Sequence, residues 1–363
     1  MYVGKNVDRV DAYDKVTGRA KYTEDLVSAN SYVAKILHST IAHGKVISID
    51  TSEAEKIEDV VKIVTCFDVP KWGFPTAGHP WSTDPSHQDK ADRNLLNTHV
   101  RYYGDDVAVV IAKNSVACSR AIEKIKVEYE EYEAAFDQME SMKGTDVPIH
   151  DDCPKNILAH TSNNRGNYQE AIKEEGLTKV EGWYETPIVQ HSHIENGIVY
   201  SYEEGNKIVV VASTQIPHIV RRVCGQALGV PWGRIRVIKP YIGGGFGNKQ
   251  DALYEPLGAF LTTQVGGHPV VLDTSREETF SSTRTRHPMK IHIISHVRSD
   301  GSFAARKIEV FAGNGGYASH GHSIASKAMG CFHQQYPCDN VEADAYTIYT
   351  NLPVSGAMRG YGI

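Results

Sequence analysis

The sequence is poor in the patterns that mark an electron carrier, a membrane protein or a nucleic-acid binder. Its six cysteines, at positions 66, 118, 153, 224, 331 and 338, form no CxxC pair, which excludes a zinc ribbon and a thioredoxin-like motif. The four-cysteine spacing of a plant-type iron–sulfur cluster is missing as well, so any such centre would sit on another chain. Cys331 and Cys338 read as reduced structural residues rather than a disulfide. No apolar run approaches the roughly 20 residues that span a bilayer. The opening MYVGKNVDRVDAYDKVTG has no apolar h-region, and the expected location is cytoplasmic. Positive charge is not in excess either: a formal net charge of −6 gives no support to nucleic-acid binding.

What is present is an ordinary globular composition, 41% hydrophobic and 23% charged, over 363 residues, enough for two domains and a substantial core. The most informative stretch is Tyr241-Ile242-Gly243-Gly244-Gly245-Phe246-Gly247-Asn248-Lys249-Gln250, after the strand-like run 234–240. Its glycines free the backbone for positive φ and bring bare N–H groups close to a ligand. A phosphate P-loop is excluded, because Gln250 stands where Ser or Thr would follow the lysine. The dinucleotide fingerprint fails too, since Asn248 replaces its last glycine. On spacing alone, a tight strand-to-helix connection without a ligand explains the loop equally well. A second glycine motif, Gly356-Ala357-Met358-Arg359-Gly360-Tyr361-Gly362-Ile363, sets an arginine fork among small residues, suited to an anionic or oxo group. By itself it reads as a surface turn.

The pattern predicts a mixed α/β (α+β) chain. Residues 1–133 form one unit, in which an apolar strand over 105–112, a helix over 115–122 capped by Asn114, and an alternating strand over 125–129 make a β-α-β unit. The acidic run 128–133 is the exposed side of that last strand and its exit. Residues 134–178 are polar and aperiodic and read as a connector with some helix near Tyr168–Glu174. From 179 to 363, strands are expected at 179–185, 197–202, 207–212 and 234–238. Pro217 opens a helix that Gly229 closes.

Several motifs in register change the weight of each. GGGFGNKQ, the earlier Ser213-Thr214-Gln215 and the terminal AMRGYG resemble, in order, the molybdenum hydroxylases, specifically the molybdenum-binding subunits of bacterial xanthine dehydrogenases. The resemblance also takes in 3–11, 14–18, Ile41-Ala42-His43-Gly44, 103–108 and Thr285-Arg286-His287-Pro288, nearly the whole chain. It implies an N-terminal α/β hammerhead-like domain followed by the first part of a molybdopterin-binding domain. It implies a molybdenum–molybdopterin cofactor, expected as the cytosine dinucleotide, with 2Fe-2S and FAD on partner subunits. Gln215 would lie beside the molybdenum oxo group. Gly245, Phe246, Gly247 and Arg359 would surround the cofactor, and Phe246, Gln250 and Tyr361 would contact substrate. A purine would sit between Phe246 and Tyr361 and be hydroxylated with water as the oxygen source.

The sequence departs from the family at two points. Gln250 replaces a glutamate of many xanthine enzymes, so the hydrogen bonding offered to a purine differs; another N-heterocycle or an aldehyde is the alternative substrate. The basic residue that some relatives carry is matched only by Lys327. The general-base glutamate is expected beyond Ile363, so the isolated chain is expected to be inactive. It is read either as an enzyme half completed by a second molybdopterin half-subunit or as a truncated, non-catalytic fragment. His191, His193 and Glu195 would share a strand face that could hold a metal, against the reading of a hydrogen-bonded polar strand. The basic stretch 284–288 could bind phosphate or be a surface turn.

Overall fold

Where valine, isoleucine and alanine run unbroken the chain forms doubly covered strands; where they alternate with charge it forms one-sided ones. The computed structural model describes residues 3–78 and 89–362, and Ile363 of the second glycine motif lies outside them. The strands of the first part are β1 (Tyr32–His38), β2 (Gly44–Asp50), β3 (Val60–Thr65), β4 (His99–Val100), β5 (Asp106–Ala112) and β6 (Lys126–Glu131). Next come β7 (Ile157–Ser162), β8 (Thr178–Thr186), β9 (Val189–Gln190), β10 (Ile198–Glu204), β11 (Lys207–Ala212) and β12 (Ile235–Ile238). The last are β13 (Val270–Asp273), β14 (Thr285–Arg286), β15 (Met289–Val297), β16 (Phe303–Gly315) and β17 (Val341–Tyr349). The helices are α1 (Ala12–Val16), α2 (Ser115–Ile122), α3 (Gln138–Ser141), α4 (Tyr168–Ala171), α5 (Pro217–Leu228), α6 (Glu255–Gln264), α7 (Arg276–Ser282) and α8 (Gly321–Gln335). Among the described residues, no helix is long and apolar enough to cross a membrane.

A seven-stranded sheet, β12-β11-β10-β13-β1-β5-β3, runs through both halves of the chain. Its seam is the parallel pairing of Tyr32, Val33 and Ala34 in β1 with Val270, Val271 and Leu272 in β13. Every residue of β5 is buried. Val220 and Val223 of α5 and Leu257 and Leu261 of α6 pack with Val199, Val210 and Leu272 in the same core. A five-stranded sheet, β7-β17-β16-β15-β8, is covered on one face by α8 through Ile324, Ala325 and Met329.

The expected elements are present, but two are connected differently. β6 does not join β5 in a parallel pair; it pairs antiparallel with β2 in a separate three-stranded sheet. The reason lies in its alternation. Lys126, Glu128 and Glu130 are exposed while Val127 and Tyr129 are half-buried, which suits a sheet with one wet face. The stretch 134–178 is more than a connector. It contains α3, α4 and the edge strand β7, which pairs antiparallel with β17. That strand is short, with no fully buried residue, and its partner lies far downstream, so local pattern does not reveal it. Helix α5 does open at Pro217, and Gly229 closes it with φ 66°, in the left-handed region glycine favours.

Candidate functional site

The end of β11 delivers Gln215 against the first glycine bend. The Gln215 N–H donates to the Lys249 carbonyl at 2.8 Å, and its side-chain Oε1 accepts from the Gly247 N–H at 3.1 Å. With Oε1 occupied, the amide NH₂ is left as a donor. Beneath this contact Lys249 is buried. Its Nζ lies 2.8 Å from Glu195 Oε2, 2.9 Å from the Glu195 carbonyl and 2.8 Å from Ser213 Oγ. Burial lowers the Lys249 pKa, against the raising effect of the Glu195 carboxylate. Lys249 is thus an internal anchor of the bend.

The bend needs its glycines at specific places. A Cβ on Gly245 would stand 2.5 Å from Gln215 Oε1, and one on Gly247 would stand 2.3 Å from the Ala357 carbonyl. Gly247 also has φ 110°. Phe246 is not a glycine yet holds φ 51°, and its ring is half exposed. Such backbone persists only where neighbours over-determine it. Here the neighbour is the second bend: the Arg359 N–H donates to the Phe246 carbonyl at 2.8 Å.

His191 holds that second bend from behind. Its Nε2 lies 2.7 Å from the Ala357 carbonyl and its Nδ1 lies 3.2 Å from the Arg284 carbonyl. Burial lowers its pKa, against the raising effect of the Ala357 and Arg284 carbonyls, and of the two contacts the shorter is to Ala357. His191, His193 and Glu195 do not lie on a strand, since β9 ends at Gln190. Their side chains diverge: His193 Nδ1 faces the Glu195 carbonyl at 2.6 Å, while the Glu195 carboxylate serves Lys249 and the Gly243 N–H.

The two bends line one open cleft of about 360 Å³. All seven residues singled out from sequence meet there: Gln215, Gly245, Phe246, Gly247, Gln250, Arg359 and Tyr361. Met358 and Gly360 complete the wall. Among the described residues, neither the Gln215 amide nitrogen nor the Arg359 guanidinium meets an acceptor, and no carboxylate lines the cleft. Lys327 does not belong to it; it is exposed on α8 and lines a different cleft, beside β7.

Behind the cleft lies a polar cluster that sequence reading missed. Arg284 is 1% exposed, and its Nε–H donates to Asp251 Oδ2 at 2.5 Å. It is neither a phosphate ligand nor a surface turn, but half of a buried ion pair. His287, two residues of β14 further on, is buried 2.9 Å from Asn314 Oδ1, and burial brings its pKa down to about 4. His320 and Tyr361 close the cluster, His320 Nδ1 lying 2.9 Å from the Tyr361 hydroxyl. The basic stretch 284–288 was visible in the sequence, but its partner Asp251, directly after the glycine motif, was not recognised as one.

Comparison with known proteins agrees with this architecture. The family model for the molybdopterin cofactor-binding domain matches residues 149–363, and that for the aldehyde oxidase and xanthine dehydrogenase a/b hammerhead domain matches 17–133. The chain is 45% identical over 355 residues to the putative xanthine dehydrogenase molybdenum-binding subunit of Escherichia coli K12, covering 98% of this chain and 47% of that one. It is 33% identical over 363 residues to the nicotinate dehydrogenase large molybdopterin subunit of Eubacterium barkeri, covering 99% of this chain and 82% of that one. The chain therefore spans about half the length of the E. coli relative and most of the E. barkeri one. Among solved structures, the aldehyde oxidoreductase of Desulfovibrio gigas shares the fold, with a TM-score of 0.89 at 24% identity over 99% of this chain and 40% of that one.

Proposed function

The chain belongs to the molybdopterin cofactor-binding family, and on that premise we propose that it is the molybdenum-binding half of a xanthine dehydrogenase-like hydroxylase. One observation carries the reading: two hydrogen-bond donors that meet no acceptor among the described residues, Gln215 and Arg359, share a cleft with the exposed Phe246 ring. That donor set fits an oxo-bearing, anionic group. The cradle fits too, because a Cβ on Gly245 would displace the Gln215 amide and one on Gly247 would collide with the Ala357 carbonyl and push the bends apart. When bound, the molybdenum cofactor supplies the oxygen-transfer and two-electron chemistry.

The chain's own residues bind and orient. Gln215 offers its amide N–H to an oxo group, and Arg359 balances negative charge. Phe246 and Tyr361 offer π-faces to a flat ring. Gln250, as an amide, both donates to and accepts from a heterocycle edge, where a carboxylate only accepts. The group that takes up the proton comes from another part of the assembly. In the same proposal the cofactor is the cytosine dinucleotide form. Electrons leave to 2Fe-2S and FAD subunits, and a second molybdopterin half completes the site. The assembly is cytoplasmic. The units are 1–133 and 179–363, with 134–178 between them contributing β7 to the second.

Co-expression with a candidate second half tests this. About one molybdenum per complex is expected, with xanthine or hypoxanthine oxidised; an assembled complex containing no molybdenum would refute the proposal. A second reading, a nicotinate hydroxylase, is favoured by the 82% coverage of the E. barkeri subunit. A panel of xanthine, hypoxanthine, nicotinate and an aromatic aldehyde ranks the two. Gln215→Ala should leave assembly intact and slow molybdenum reduction by substrate roughly 100-fold, in line with loss of one preorganised donor. Unchanged rapid-reaction rates would remove Gln215 from the site.

A further inference from the structure

Apart from Tyr361, the cluster behind the cleft has no part in the chemistry proposed above, yet through that residue it touches the substrate wall. Asp251 Oδ2 accepts from Arg284 Nε at 2.5 Å, Ser319 Oγ at 2.7 Å and Thr76 Oγ1 at 3.2 Å. His320 Nε2 lies 3.0 Å from Asp251 Oδ1, off the line of an ideal hydrogen bond, and 3.3 Å from the Gln250 carbonyl. Both of these neighbours are acceptors, so Nε2 carries a hydrogen. On the other side of the ring, Nδ1 meets the Tyr361 hydroxyl at 2.9 Å. Two members of the cluster hold left-handed backbone without being glycine, Ser319 at φ 45° and Tyr361 at φ 52°. Non-glycine residues stay there only where the surroundings fix them.

We propose that Asp251 and His320 are positioning residues that tether the Tyr361 ring and thereby favour flat heteroaromatic ligands over aliphatic ones, a reading that rests on the cleft being the substrate site. The tether is direct. With Nε2–H committed to Asp251 and Gln250, only Nδ1 can serve Tyr361. A neutral imidazole accepts the hydroxyl proton there and an imidazolium donates to the hydroxyl oxygen, so the bond persists in either charge state. The groups around His320 are Asp251, Arg284, His287, Asp89 and Tyr361. Anchored at its oxygen, the ring has already lost the rotamer freedom that binding would otherwise cost. An aromatic ligand gains from a wall fixed in this way; an aliphatic ligand has no ring to stack.

Calorimetric binding to the complex of this chain with its second molybdopterin half tests the tether, with xanthine as the flat probe and butyramide as the aliphatic one. Tyr361→Phe keeps the ring and removes the bond; His320→Gln removes it from the other side. Each should weaken xanthine binding about fivefold, the worth of one hydrogen bond, and leave butyramide unchanged. The double variant should bind no worse than either single one, and His320→Asn, whose amide stands where Nδ1 does, should recover most of the loss. Additive losses, or a Tyr361→Phe chain that binds xanthine like the parent, would overturn the tether alone. A parent complex that carries molybdenum yet binds no xanthine would overturn the substrate-site reading and the tether with it.

Discussion

Strand β5 and the Asp251–Arg284 pair are equally buried and are held by opposite physics. In β5 seven residues are covered on both faces, and its valines and isoleucine touch many apolar partners, none of which is decisive. The ion pair has few partners, each directional: Arg284 is 1% exposed and Asp251 2% exposed, and between them they engage Thr76, Ser319 and His320. Apolar burial degrades gradually when atoms are removed. A buried charge that loses its partner has neither water nor counter-ion. The contrast shows where the chain tolerates change and where it does not.

The sharpest way to break the contrast is Arg284→Ala. It takes the guanidinium from the buried Asp251 carboxylate, leaving only His320 and the Ser319 and Thr76 hydroxyls beside it, and should cost about 3 kcal/mol in urea unfolding. The paired change Arg284→Met with Asp251→Leu should recover much of that loss, because neither charge remains. A single-variant loss below about 1 kcal/mol would show that the pair does not behave as a buried charge.

The next test lies at the join between the two regimes, where His38 of β1 faces Asp106 of β5 at 3.1 Å and Glu278 of α7 at 3.2 Å. Burial pushes the His38 pKa down, but the two carboxylates prevail and bring it up to about 9. A folded-state pKa above the unfolded one means stability fully present below about pH 6.5 and lost as pH rises through about 9. The loss should be at most roughly 3 kcal/mol. Denaturation midpoints at pH 6.5 and 9.5 measure it, and in His38→Gln this part of the fall should vanish. The mildest test is Ile111→Val in β5. It removes one methylene and should cost about 1 kcal/mol by the same unfolding assay. A loss as large as that of Arg284→Ala would erase the contrast.

The same contrast explains what was legible in the sequence. Lys207–Ala212 and Asp106–Ala112 announce themselves as strands because burial of both faces demands a local apolar run. Pro217 and Gly229 mark the ends of α5 because their backbone chemistry is local too. The two glycine-rich bends were locally visible, but their spacing alone did not join them into one cleft; the resemblance of several motifs in order did. The Asp251 cluster was not legible, since residues 76, 251, 284, 319 and 320 come from separate parts of the chain and no periodicity links them. His191 misled for a related reason. Alternating His, His and Glu imitate a strand face, but Ser192 turns the chain with φ 53°.

The parallel pairing of Tyr32–Ala34 with Val270–Leu272 has a practical consequence for protein engineering. The boundary between the two family matches, near residues 133–149, divides the sequence but not the hydrogen-bonded fabric. An excised 149–363 piece would carry β13 with a bare flank, and Val270 and Leu272 would lose the cover they have in the intact chain. Such a flank recruits whatever extended chain is nearest, so the piece should clump or trade strands with its copies. Chimeras that exchange this segment between relatives need to carry β1, β5 and β3 along with it.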